Sequence, residues 1–138
     1  MAHRVSVIDR TTAKTYEWLE RLCEKLGSED RQHAYMVLRA VLHALRDRIG
    51  PEVSVHLAAQ LPLLVRGIFY EGWDSSTTPQ RLTLDEFLAR VERDATLKGV
   101  MEAEHCTRAV IQVLWEELAP GTVEHIVAVL PGEFAIVL

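Results

Sequence analysis

Arg39-Ala40-Val41 recurs as Arg108-Ala109-Val110, 69 residues further on. The same offset carries Leu61-Pro62 onto Leu130-Pro131, Pro51 onto Pro120 and His56 onto His125. It also lays Glu17, Leu19 and Arg21 over Glu86, Leu88 and Arg90, with Trp18 over Phe87. No gap is needed, and two units of 69 account for all 138 residues. An ungapped match over separate segments is the signature of an internal repeat. The expected fold is all-α: two tandem helical repeats, residues 12–73 and 83–138, joined by a linker at 74–82. They pack as a pseudo-twofold bundle in a single domain spanning 1–138.

Composition sets the class. Apolar residues make up 49% and charged residues 25%, which suits a globular core and not a disordered chain. Net charge is −5, with +2 on residues 1–69 and −7 on residues 70–138. An acidic total lacks the clustered positive charge that nucleic-acid binding needs, so no nucleic-acid partner is expected. Apolar stretches are interrupted by Arg66 and Glu124, too soon for a membrane span. The N-terminal segment has no apolar leader core. Cys23 and Cys106 do not coincide under the offset and sit in helix-type sequence, so they read as two reduced, packed thiols of a cytoplasmic protein.

Apolar spacing divides the first unit into four helices. Tyr16, Leu19, Leu22, Cys23 and Leu26 place one at 12–26, stopped by Gly27. Ser28 is read as the cap of a second, whose stripe is Tyr35, Leu38, Leu42, Leu45 and Ile49. Gly50-Pro51 separates it from a third at 51–60, and Pro62 breaks that one from a fourth at 62–71. The second unit opens on Thr83-Leu84-Asp85-Glu86, a capping box. Helices are expected there over 84–93, 97–118 and 120–129. The apolar end Ala135-Ile136-Val137-Leu138 should then fold onto the body.

Among groups that could carry chemistry, Arg66, Tyr70, Glu71 and Trp73 form the sharpest cluster. Arg66 and Tyr70 share a helix face, where a guanidinium can lie over a ring. Trp73 follows the stop at Gly72 and could anchor a partner or ligand. Because buried aromatics are mostly core, the preferred reading is that the rings close the junction between the repeats, with Arg66 bonded to helix-end carbonyls or to Glu71. His56 and His125 are equivalent positions without further ligands beside them in sequence. Glu102 and His105 have the Glu-x-x-His spacing of di-iron bundles, but the equivalent positions are His33 and Met36, so half the set is missing. No metal and no cofactor are expected. Arg39 and Arg46 lie on one face and could meet an anion. Because Arg39 repeats as Arg108 while Arg46 does not repeat, only the first pair reads as structural.

Three stretches, Arg39–Arg48, Ala58–Trp73 and Glu86–Val91, resemble the bacterial family known as domain of unknown function 2267. The string Leu61-Pro-x-x-x-Arg66-Gly-x-x-Tyr70-Glu-Gly-Trp73 is the specific part. The resemblance implies an all-helical bacterial protein of two similar halves and brings no catalytic residues. The functional expectation is a non-catalytic interaction or scaffold module with a protein partner or a second copy of itself. The alternative is a small-ligand-binding protein with its pocket between the repeats near Trp73, and an enzyme is the third reading.

Overall fold

A computed structural model describes residues 3–138. Met1 and Ala2, at the start of the segment read for a leader, lie outside the described residues. Among these the chain is all helical, with α1 (Ser6–Leu26), α2 (Arg31–Ile49), α3 (Pro51–Ala58) and α4 (Leu63–Tyr70) in the first part. The second part holds α5 (Leu84–Asp94), α6 (Val100–Glu117) and α7 (Pro120–Val129), and 3-10 helices occupy Ser75–Thr77 and Gly132–Ile136. No described helix is long and apolar enough to cross a membrane.

α2 and α6 form the centre. Each packs on α1, on α5 and on the other, while α4 lies against α1 and α2, and α3 against α7. A helix in that position must be apolar nearly all round, and α2 is buried at Leu38, Ala40, Val41, Leu42, Ala44 and Leu45 alike. α2 and α6 begin 69 residues apart, as do α3 and α7. Burial follows the same offset at Trp18 and Phe87, Leu22 and Val91, Ala34 and Ala103, and Leu57 and Ile126. Phe87 meets Phe134 edge to face at 5.4 Å, which seats the final 3-10 helix on α5.

Both Leu-Pro pairs interrupt helices. α3 stops at Ala58 and α7 at Val129, and neither chain direction resumes before Leu63 or Gly132. Pro51 and Pro120 open α3 and α7, where the missing N–H has no helical partner to lose. The capping box forms as the sequence suggests, Thr83 Oγ1 accepting from Glu86 N and Glu86 Oε1 from Thr83 N.

Several boundaries differ from expectation. α1 begins at Ser6 rather than 12, since nothing in residues 6–11 breaks a helix and Asp9 in its first turn is held by Arg4 at 2.9 Å. The cap of α2 is Asp30, which accepts from His33 N; Ser28 Oγ, two residues before it, accepts from Asp30 N. α6 starts at Val100 because Gly99 has φ 117, outside helical range. In α1 the buried ring is Trp18, 1% exposed, while Tyr16 is half open to water. Of the apolar end, Val137 is buried and Leu138 half-buried, but Ala135 and Ile136 face solvent.

The segment read as a linker is stapled to the C-terminal end of α2. Gln80 N donates to Asp47 O at 2.7 Å and Arg48 Nε to Leu82 O at 2.9 Å. Gly50, at φ 85 and ψ 170, makes the turn into α3, and a Cβ there would stand 3.3 Å from Pro79 Cβ. That backbone region is essentially reserved for glycine.

Candidate functional site

Three basic side chains of α2, spaced at i, i+4 and i+7, face the C-terminal end of α4. Arg39 Nε pairs with Glu71 Oε1 at 2.6 Å. His43 Nε2 meets Ile68 O at 2.7 Å, and because a carbonyl only accepts, Nε2 carries the proton. Arg46 Nη1 donates to Phe69 O at 2.9 Å and to Glu71 O at 2.8 Å. The last carbonyls of a helix lack helical donors and carry its negative end, so cations there stabilise it. Burial pushes the His43 ring below its ordinary pKa, with Arg46 and Arg39 acting in the same direction. Arg39 holds the Glu71 carboxyl below the usual carboxylate range.

Arg46 is therefore buried and structural, not the anion-binding group the sequence allowed. Its Nε also pairs with Asp47 Oδ1 at 2.8 Å, and Arg90 of α5 closes on Asp47 Oδ2. Burial alone would raise the Asp47 carboxyl, but Arg46 and Arg90 outweigh it and hold it low. Arg108, the counterpart of Arg39, reaches Ile136 O at 3.3 Å and Glu104 at 2.7 Å.

The cluster singled out by sequence divides. Arg66 donates to Ala58 O at 2.9 Å, Leu61 O at 3.1 Å and Ala59 O at 3.3 Å, which fastens the C-terminal end of α3 to α4. Its guanidinium is engaged with these carbonyls, whereas Tyr70 stacks at a tilt on Trp73 with ring centres 5.3 Å apart. Gly72 at φ 69 turns the chain so that Trp73 N reaches Tyr70 O at 3.0 Å. Trp73 is half-buried, and its indole Nε1 is shielded from water without an acceptor. Glu71 is held by Arg39. The two rings thus share a site, while Arg66 and Glu71 turn to separate internal partners.

Two apolar grooves run along either side of the contact between α1 and α4. One, about 580 Å³, is lined by Thr15, Tyr16, Leu19, Tyr35, Leu64 and Ile68. The other, about 450 Å³, is lined by Val7, Arg10, Lys14, Pro62 and Leu63. Successive residues of a helix diverge by about 100°, so Leu63 and Leu64 part to opposite sides of α1. Thr11 Oγ1 accepts from Leu64 N at 2.9 Å and locks the start of α4 onto α1. Leu63 and Leu64 stay 56% and 45% exposed, and Val7 and Ile8 more than half.

Residues 15–136 match the family described as Uncharacterized conserved protein (DUF2267). The chain belongs to this family. Among curated proteins none matches it. The DUF2267 match runs from the middle of α1 through the final 3-10 helix, and so takes in the α4 segment that the arginines of α2 and Arg66 hold in place.

Sequence reasoning missed one further grouping in this DUF2267 chain. His33 of α2 and Glu102 and Cys106 of α6 each offer a ligand atom within 4.8 Å of the other two. A signal existed, since 33 and 102 are equivalent positions under the offset. His105, the residue the Glu-x-x-His spacing suggested, points elsewhere, into a shallow depression with Lys25 and Arg108. His56 and His125 are exposed on α3 and α7. Both cysteines are free and buried. Burial and the charge of Glu102 push the Cys106 thiol up to about 11.

Proposed function

We propose that the protein is a non-catalytic interaction module of the bacterial cytoplasm, built from two tandem copies of one helical unit packed about a pseudo-twofold. It docks a partner protein in the paired grooves along α1 and α4. The observation that carries this reading is the pair Leu63 and Leu64. Two leucines at the start of a helix, each about half exposed and each at the lip of an apolar groove, form a contiguous apolar surface with Val7 and Tyr16. Surfaces of this kind mark association sites more often than isolated exposed leucines do.

Elsewhere the ionised groups between helices are engaged in folding. Arg46, Asp47 and Arg90 close on one another, and Arg21 pairs with Glu116 and Glu117 across α1 and α6. At their rims Lys14 pairs with Glu17 and Arg31 with Glu20, while Arg10 lines the second groove. A partner that presents an apolar helix face fits them, with an acidic group opposite Arg10.

The test is a photo-crosslinking side chain placed at Val7, or separately at Leu63, in the cells that make the protein, with Val129 of α7 as control. Discrete adducts at the first two positions and none at the third support the reading. Absence of adducts at Val7 and Leu63, or the same adducts at all three, overturns it. A second reading, a small-ligand site at Trp73, is favoured by one observation: the shielded indole N–H without an acceptor, which a ligand carbonyl or hydroxyl would satisfy.

A further inference from the structure

At other helix contacts the ionisable groups close on one another, as Arg46, Asp47 and Arg90 do and as Arg21 does with Glu116 and Glu117. At the contact of α2 and α6, the ring of His33, the carboxylate of Glu102 and the thiol of Cys106 converge within 4.8 Å. Glu102 and Cys106 are four apart on α6 and share a face. Glu102 Oε2 accepts from Lys98 N at 2.7 Å, which fixes the carboxylate and leaves Oε1 free to turn toward the other two. His33 uses its backbone N–H on Asp30; among the described residues its ring and the Cys106 thiol have no hydrogen-bond partner. The two helices are 19 and 18 residues long and pack directly on each other, so the three side chains stand on a rigid base.

We propose that His33, Glu102 and Cys106 bind a divalent transition-metal ion of the zinc type, with a fourth coordination position open to water. The donor set decides the ion class. One nitrogen, one oxygen and one sulfur suit zinc and its neighbours, whereas calcium and magnesium take oxygen ligands in larger number. Tetrahedral bonds of about 2.0–2.3 Å put neighbouring ligand atoms about 3.3–3.7 Å apart. A set already within 4.8 Å reaches that spacing by side-chain rotation. His33 and Glu102 are half-exposed and Cys106 is buried, so the ion enters past the first two and meets the sulfur last.

His33 and Glu102 are each the third residue of their helix, and two positive helix ends oppose a cation here. The carboxylate and a thiolate together offset that field and match the charge of the ion. Binding breaks the S–H bond of Cys106, releases the proton to water and forms a sulfur–metal bond, with no change of oxidation state. The Glu-x-x-His spacing alone predicts no metal here, because half of that set is missing. The missing ligand of Glu102 is supplied not by a second Glu-x-x-His but by the equivalent position of the other half. A position and its counterpart meet only where an axis relating the halves would pass.

The experiment uses the full chain, purified under reducing conditions, stripped with chelator and titrated with Co²⁺ alone and then with Zn²⁺. One equivalent of Co²⁺ should raise a thiolate-to-cobalt charge-transfer band with tetrahedral visible bands, and one equivalent of Zn²⁺ should abolish both. Cys106→Ser should lose the charge-transfer band, and Cys23→Ser should keep it. His33→Ala, at a half-exposed position that leaves the core intact, should weaken binding by at least about tenfold, since even second-shell changes commonly cost that much. Zn²⁺ should also slow alkylation of Cys106 while leaving Cys23 unchanged. A protein that shows no band at one equivalent overturns the proposal. So does a band of unchanged affinity in His33→Ala, or alkylation of Cys106 that ignores Zn²⁺.

Discussion

Replacing Arg46 with Met removes a buried charge while keeping most of the apolar stem. The guanidinium holds Asp47 at 2.8 Å, Phe69 O at 2.9 Å and Glu71 O at 2.8 Å. Breaking a buried ion pair from one side costs about 3–5 kcal/mol, because the remaining charge stays buried. Asp47 keeps Arg90, which pulls the figure toward the lower end, and the carbonyl of Glu71 recovers water. About 3 kcal/mol is then expected, a large share of the roughly 5–15 kcal/mol that holds a domain folded. With urea slopes of about 1–3 kcal/mol/M, the midpoint should fall by at least about 1 M at unchanged slope. Amide exchange should quicken first in α4, whose C-terminal carbonyls lose their donor. Asp47→Asn should cost less in the Arg46→Met background than alone, by about 1–3 kcal/mol, as coupled neighbours do. A midpoint within about 0.2 M of the parent, or strict additivity with Asp47→Asn, would refute the structural role given to Arg46.

Three further outcomes follow from named contacts. His43 is buried neutral with a lowered pKa, so the unfolded chain binds the proton first as pH falls below about 6.5. Stability should therefore decline from pH 7 to pH 5.5, and His43→Gln should flatten that decline; equal slopes in both proteins would contradict it. Gly50→Ala should cost more than Gly27→Ala, roughly 2–3 against 1 kcal/mol, since both have positive φ but only Gly50 faces Pro79. Equal costs would show that Pro79 does not press on the turn. Trp73→Ala should cost about 1.5–3 kcal/mol, less than a fully buried aromatic, given its half-buried ring. A cost under about 0.5 kcal/mol would move Tyr70 and Trp73 from fold to binding surface.

What the sequence made legible is what local chemistry dictates. Pro62 and Pro131 break helices in any context, Thr83 and Glu86 cap one another across a single turn, and α7 has the bounds its prolines and apolar spacing suggest. The start of α1 was less legible because residues 6–11 carry a weak apolar pattern with no stop or cap of their own. Charged residues misled most. Arg46 looks like a surface group in a string of letters, yet it reaches carbonyls of a neighbouring helix end. Its acceptors are backbone atoms, which no residue type announces, whereas Arg66 meets the helix-end carbonyls expected of it. His33 and Glu102 were visible as equivalents, but their meeting depends on where α2 crosses α6. That crossing is set by packing across the whole bundle, not by either segment.

The central claim is that the α1–α4 grooves bind a partner and do not serve the fold, and the double substitution Leu63→Glu with Leu64→Glu separates the two. Both positions lie in the first turn of α4, where acidic side chains suit the helix dipole. Stability measured in urea melts should stay within the change expected of exposed sites, about 0.5 kcal/mol. In the same protein, adduct formation from a crosslinking side chain at Val7 should disappear. Loss of stability with adducts retained would contradict the account, because the leucines would then belong to the core and the partner would bind elsewhere.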